Sequence, residues 1–151
     1  MRPDPGGGAQ PVSADLPGVV VIHCSDGRFQ PWFQDFLRRD LGVEHYSLIA
    51  VPGGAQFLTL VEYLPKFAWA GWRWMKFLAD LAAPARVILI AHEDCRWYLD
   101  TRFGIPPRDP RGKQVQDLQS ARAALVERFG KLPVELYYAR LSDGSVVFER
   151  L

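Results

Sequence analysis

Cysteine is scarce: the chain of 151 residues holds only Cys24 and Cys95. That excludes a disulfide-dense secreted scaffold, and the Cys-x-x-Cys spacing of a thioredoxin-like redox site does not occur. No uncharged apolar run is long enough to span a bilayer. An excess of one charge is also lacking, since 18 Lys and Arg against 17 Asp and Glu leave a net charge of +1. A nucleic-acid partner or an anionic membrane surface therefore finds no support. No Gly-rich dinucleotide fingerprint or Walker loop follows a predicted strand, and Gly6-Gly7-Gly8 falls in the Pro/Gly-rich N-terminal segment. That segment, residues 1–16, has no apolar signal-peptide core and is expected to be a flexible tail. Two cysteines without an export signal argue for reduced thiols and a cytoplasmic location.

What is present suits one domain, residues 17–151, with 48% hydrophobic residues to fill a single core. Apolar runs and stop signals alternate between strand and helix. Gly18 to His23 is predicted as a buried strand, Pro31 to Leu41 as a helix stopped by Gly42, and His45 to Val51 as a second strand closed by Pro52-Gly53-Gly54. A helical region is expected over Gln56 to Leu81, with a possible break at Pro65, and a third strand over Arg86 to Ala91. Thr101 to Gly112, with three prolines, reads as a loop. Lys113 to Phe129 reads as a helix with an apolar stripe. Val134 to Leu141 and Ser145 to Leu151 flank Asp143-Gly144, a hairpin signal. This order implies an α/β fold: a mainly parallel central sheet, helices on both faces and an antiparallel edge strand.

Both cysteines stand beside other chemistry-bearing residues at predicted strand ends. Cys24-Ser25-Asp26-Gly27-Arg28 follows the first strand, and His92-Glu93-Asp94-Cys95 follows the third. If those strands are neighbours, the two clusters face each other across the crevice where open α/β sheets bind ligands. Cys24, His92 and Cys95 then offer two thiolates and an imidazole, a donor set suited to tetrahedral zinc, with a fourth position left for water. Two thiolates cancel the charge of the ion, so a carboxylate that orients the water gains importance. Asp26 is placed for that, and Arg28 can pair with it and keep it off the metal. Without that pair Asp26 becomes a possible fourth ligand.

The motifs Cys-Ser-Asp-x-Arg, a Gly-rich turn after the second strand and His-x-x-Cys after the third resemble the β-class carbonic anhydrases. The resemblance covers Gly18 to Phe148 and implies Cys24, His92 and Cys95 as zinc ligands, with Asp26 and Arg28 as the catalytic pair. The activity it implies is reversible hydration of carbon dioxide to bicarbonate by a metal-bound hydroxide, in a homodimer or higher homo-oligomer. The chain departs from that family's pattern in three places. Ala50 to Ala55 stands where an Arg-Asn-Ala-Gly-Asn-like run is usual, Arg96 stands where glycine usually follows the second cysteine, and the Pro/Gly tail is expected in place of the N-terminal helices that commonly clasp a partner.

Alternatives stay open at several positions. Gly53 and Gly54 either make a turn that needs positive φ or line the substrate pocket and donate an N–H to the bound ligand. Gln30 and Gln56 are candidate polar groups at the pocket mouth. Glu93 and Asp94 are either solvated turn residues or hydrogen-bond partners of the site, and His23 is expected to be structural. Phe67, Trp69, Trp72, Trp74 and Phe77 do not share one helical face, which fits core burial plus a subunit contact. A Cys-based phosphatase loop is excluded because Gln30 and Pro31 stand where its arginine is needed. Two rivals to carbon dioxide hydration remain: hydrolysis of carbonyl sulfide or carbon disulfide by the same site, and a non-catalytic zinc-binding protein.

Overall fold

The computed structural model describes residues 11–59, 65–102 and 104–151. Three expectations touch other residues: most of the N-terminal tail, the stretch 60–64 of the second helical region and Phe103 in the loop lie outside that set. Strand β1 (Val19–His23) leads into helix α1 (Gln30–Arg39) and strand β2 (Ser47–Ala50). A 3-10 helix (Gly54–Thr59) and helix α2 (Pro65–Ala82) carry the chain to β3 (Arg86–His92). Helix α3 (Pro110–Phe129) precedes the hairpin of β4 (Val134–Ser142) and β5 (Ser145–Arg150).

The strand order is β2-β1-β3-β4-β5, parallel from β2 to β4 and antiparallel at β5. Alternation along the strands loads the two faces differently. Val20, Ile22, Val87, Leu89 and Leu136 meet the 3-10 helix, α2 and α3, while Val21, Ile88, Ile90, Tyr137 and Ala139 meet Phe33, Phe36 and Leu37 of α1. Because β1 and β3 are buried on both faces, they read as near-continuous apolar runs. The chain leaves β1 in one direction and β3 in the other, so a crevice opens at their carboxyl ends.

Strand β2 is shorter than the expected His45 to Val51, and two helix starts also differ from the sequence reading. The expected loop ends at Asp109, because α3 begins three residues before Lys113. Asp109 is its N-cap, its Oδ1 accepting the Gly112 N–H at 3.0 Å, and Pro110 occupies the first turn, where a missing N–H costs nothing. The second helical region opens as a 3-10 turn at Gly54 rather than an α-helix at Gln56.

At the start of β3, the Arg86 guanidinium binds the Glu135 carboxylate of β4 through Nε and Nη2, and Tyr137 donates to the same carboxylate. The Arg86 guanidinium holds the Glu135 pKa below its ordinary value of 4.5. The folded state therefore gains stability above that ordinary value, and loses it as pH falls through the lower folded value. Glu135→Gln should cost about 1 kcal/mol in urea unfolding at neutral pH and nothing near pH 2. An equal cost at both pH values would contradict this.

Candidate metal centre

The β1–β3 pairing sets His23 opposite Ile90, so Cys24 emerges beside the carboxyl end of β3. The ligand atoms of Cys24, His92 and Cys95 all lie within 4.8 Å of one another, and all three residues are buried. The two sulfurs are 4.0 Å apart and the cysteines are free. A tetrahedral ion with Zn–S near 2.3 Å would set its sulfurs about 3.8 Å apart, so the spacing fits a metal and not a disulfide. His92 supplies the second test. Its Nδ1 hydrogen-bonds the Glu93 carbonyl at 2.8 Å, which leaves Nε2 as the ligating nitrogen, and that atom is buried without a hydrogen-bond partner. A buried orphan nitrogen is costly unless something binds it. The residues present therefore fit zinc.

The electrostatics point the same way. The Cys95 thiol donates toward the Cys24 sulfur and pulls the Cys24 pKa down, assisted by the backbone N–H groups of Gly53 and Asp26. That same bond, with burial, pushes the Cys95 thiol up. One thiolate is stabilised by the protein alone; the second needs a cation. The ring of Phe29, centred 4.2 Å from the His92 ring, holds the imidazole in place.

Arg28 joins the two clusters. Its Nε reaches Asp26 Oδ1 at 3.1 Å and its Nη2 reaches Asp26 Oδ2 at 2.6 Å. The same guanidinium donates to the Asp94 carboxylate at 2.9 Å and the Asp94 carbonyl at 3.0 Å. The Arg28 hydrogen bonds hold Asp26 ionised, with its pKa lowered to about 2. So engaged, the Asp26 carboxylate stands outside the group of three ligand atoms. Of the two readings of the acidic pair, Asp94 is thus a partner of the site, while Glu93 accepts the Leu141 N–H of β4 at 2.7 Å.

Cys24, Ser25, Asp26, Arg28, Pro52, Arg96 and Trp97 line a cavity of about 360 Å³ beside the ligands. A larger cavity of about 770 Å³ lies elsewhere, between α2 and the end of α3. Gly53 (φ +79°) and Gly54 (φ +59°) form the turn next to Cys24. A Cβ on Gly53 would run into the Trp97 indole, and one on Gly54 would stand 3.2 Å from the Cys24 nitrogen. The Gly54 N–H is taken by the Val51 carbonyl at 2.9 Å. Gln30 donates to the Cys24 carbonyl at 3.3 Å, and His23 hydrogen-bonds that carbonyl at 2.8 Å with its ring buried near Phe33. His45 lies apart, two residues before β2 and beside Val43 and Tyr46.

A second layer escaped the sequence reading. Asp117 of α3, buried, accepts from Tyr98 Oη at 2.7 Å, Lys113 Nζ at 2.7 Å and Gln56 Nε2 at 3.2 Å. Gln56 in turn accepts the Trp97 indole N–H, so one carboxylate fixes the turn that follows Cys95. Gln114 donates to the His92 carbonyl at 2.8 Å and accepts from Tyr138. Both polar residues occupy the buried face of α3 together with Leu118, Ala121 and Leu125, and that placement was the available signal.

This architecture is the β-carbonic anhydrase fold. No family model matches the sequence, and no curated protein matches it. Solved structures do match. A β-carbonic anhydrase of the protozoan Trichomonas vaginalis superposes with a TM-score of 0.56 at 12% identity, over 93% of this chain and 87% of that one. Tetrameric β-carbonic anhydrases of the ascomycete Sordaria macrospora give 0.58 at 13% identity, over 91% and 81%. In this fold the chain brings together a Cys-His-Cys triad able to hold a metal.

Asp117→Ala should destabilise the protein by about 2 kcal/mol, since Tyr98 Oη and Lys113 lose a buried acceptor. Urea unfolding measures it, and a cost below about 0.5 kcal/mol would show the network to be dispensable.

Proposed function

We propose that this chain is a divergent β-carbonic-anhydrase-like zinc enzyme that interconverts carbon dioxide and bicarbonate. The observation that carries the reading is the orphan Nε2 of His92, facing two thiols 4.0 Å apart at the carboxyl ends of the two central strands. The fold shared with solved β-carbonic anhydrases supports it. Zinc held by Cys24, His92 and Cys95 supplies Lewis acidity toward water at neutral pH.

The protein's own groups do the rest. Asp26, kept ionised by Arg28, accepts a hydrogen bond from the attacking water and aims its oxygen at the carbon. Water adds across one C=O bond, a proton leaves to solvent, and bicarbonate departs. Pro52 and Trp97 give the linear, uncharged substrate an apolar wall, and the Gly53-Gly54 backbone completes the pocket beside Cys24. Carbonyl sulfide and carbon disulfide share that linear, electrophilic shape and are the substrates to try next. No described helix is long and apolar enough to cross a membrane; the same reading makes the protein a cytoplasmic homo-oligomer.

Stopped-flow carbon dioxide hydration on zinc-loaded protein tests the proposal. Turnover well above buffer is expected, and Asp26→Asn should keep zinc while losing at least about tenfold in kcat. Zinc at one per chain with no turnover on any of the three substrates would leave a non-catalytic zinc protein. Cys95→Ser should lose zinc and stability together, because ligand binding energy is folding energy here; full zinc occupancy in that variant would contradict the ligand set.

A further inference from the structure

Away from the metal centre, helix α2 and the end of α3 border an open cavity of about 770 Å³. Part of its lining is aromatic, with the ring centres of Trp72 and Phe129 6.3 Å apart. The rest is mostly basic. Arg73 and Lys76 of α2 and Arg128 of α3 face one carboxylate, Asp80, which Lys76 binds at 2.7 Å. Among the described residues, neither Arg73 nor Arg128 has a carboxylate partner. Each is held over an indole instead, Arg128 3.8 Å from the Trp72 ring centre and Arg73 5.8 Å from that of Trp69. A guanidinium laid on a ring keeps its in-plane N–H donors free, and those donors grip phosphate oxygens in pairs.

The two tryptophans say what else the ligand carries. Among the described residues, two buried side-chain polar atoms lack a hydrogen-bond partner: His92 Nε2 at the metal centre and Nε1 of Trp72, a residue only 8% exposed. The indole N–H donates and cannot accept, so it calls for an oxygen. Trp69 is the opposite case, 67% exposed at the cavity beside Arg73. A planar ring left in water next to cations suits a ligand with a ring of its own, since any base can stack on it. Size excludes a simple anion as the full occupant. A cavity of this volume falls in the range of about 300–1,000 Å³ that holds whole organic ligands, and a lone phosphate would leave most of it empty.

We propose that this cavity binds a nucleoside diphosphate, with its base on Trp69 and its phosphates among Arg73, Lys76 and Arg128. Two guanidiniums without carboxylate partners and a lysine shared with Asp80 complement the charge of two phosphates. Side chains of two helices make the phosphate contacts, so the Gly-rich loop that the sequence lacks is not required. None of these residues belongs to the Cys-His-Cys group, and the proposal stands apart from the zinc reading.

Isothermal titration calorimetry on the full zinc-loaded chain is the test, with ADP and, separately, inorganic pyrophosphate as probes. ADP is expected to bind at one per chain with a Kd below about 1 mM, and pyrophosphate about tenfold more weakly. Trp69→Ala should weaken ADP about tenfold and leave pyrophosphate unchanged, because only the stacking is lost. Arg73→Glu should weaken both probes at least about tenfold. Both side chains are exposed, so circular dichroism and zinc content should match the wild type in each variant. Absence of ADP binding at about 1 mM would overturn the proposal. So would pyrophosphate binding as tightly as ADP, or Trp69→Ala binding ADP normally, since either leaves an anion groove with no place for a ring. Unchanged ADP affinity in Arg73→Glu would put the nucleotide on the metal or elsewhere, and would overturn it as well.

Discussion

Strands β1 and β3 run parallel and side by side, with His23 opposite Ile90, and this pairing carries Cys24 to the level of His92. The two residues are 68 positions apart in the chain, and no local turn could bring them together. The pairing is held by burial on both faces, with Val20 to Ile22 and Val87 to Ile90 almost wholly removed from water. Each such side chain contributes about 1.5–3 kcal/mol of transfer free energy, so the strand ends are placed by deeply buried packing. The Cys-His-Cys group able to hold a metal rides on that placement.

At the strand ends the problem changes from apolar packing to charge. Two thiols and an imidazole are gathered in a space that excludes water, and the second thiolate is costly without a cation. Arg28 stitches the loop after β1 to the turn after β3 by gripping Asp26 and Asp94 at once. With Arg28 so engaged, Asp26 stays charged and lines the cavity. Behind the turn, Asp117 holds Tyr98 and, through Gln56, Trp97. The segment after Cys95 is thereby clamped from the α3 side, with the Cys95 sulfur buried 4.0 Å from that of Cys24. An ordered site results, with one face apolar at Pro52 and Trp97 and the other charged at Arg28 and Arg96.

Much of this was legible in the residues, for physical reasons. Parallel strands buried on both faces must be apolar runs, so β1 and β3 announce themselves, and Asp143-Gly144 announces the hairpin. Cys24, His92 and Cys95 are legible because their chemistry is rare and their neighbours are poor core residues. The start of α3 was obscured by three prolines, although Asp109-Pro110 is itself a helix-start signal once the cap is considered. Gln114 and Asp117 were hidden because a buried polar group is recognised by its partners, which lie on other elements. The aromatic residues of α2 could be assigned to two faces from spacing alone, but only the sheet shows that Trp72 is the one turned inward while Phe67, Trp74 and Phe77 are left outside.

The central claim is that Cys24, His92 and Cys95 hold zinc through two sulfurs and one nitrogen. X-ray absorption at the zinc edge on metal-loaded protein tests it most directly. The account predicts a shell of two sulfurs at about 2.3 Å and nitrogen or oxygen at about 2.0–2.1 Å, with the sulfur shell reduced in Cys24→Ser. A shell of nitrogen and oxygen alone, or zinc that washes out of the folded protein, would contradict it.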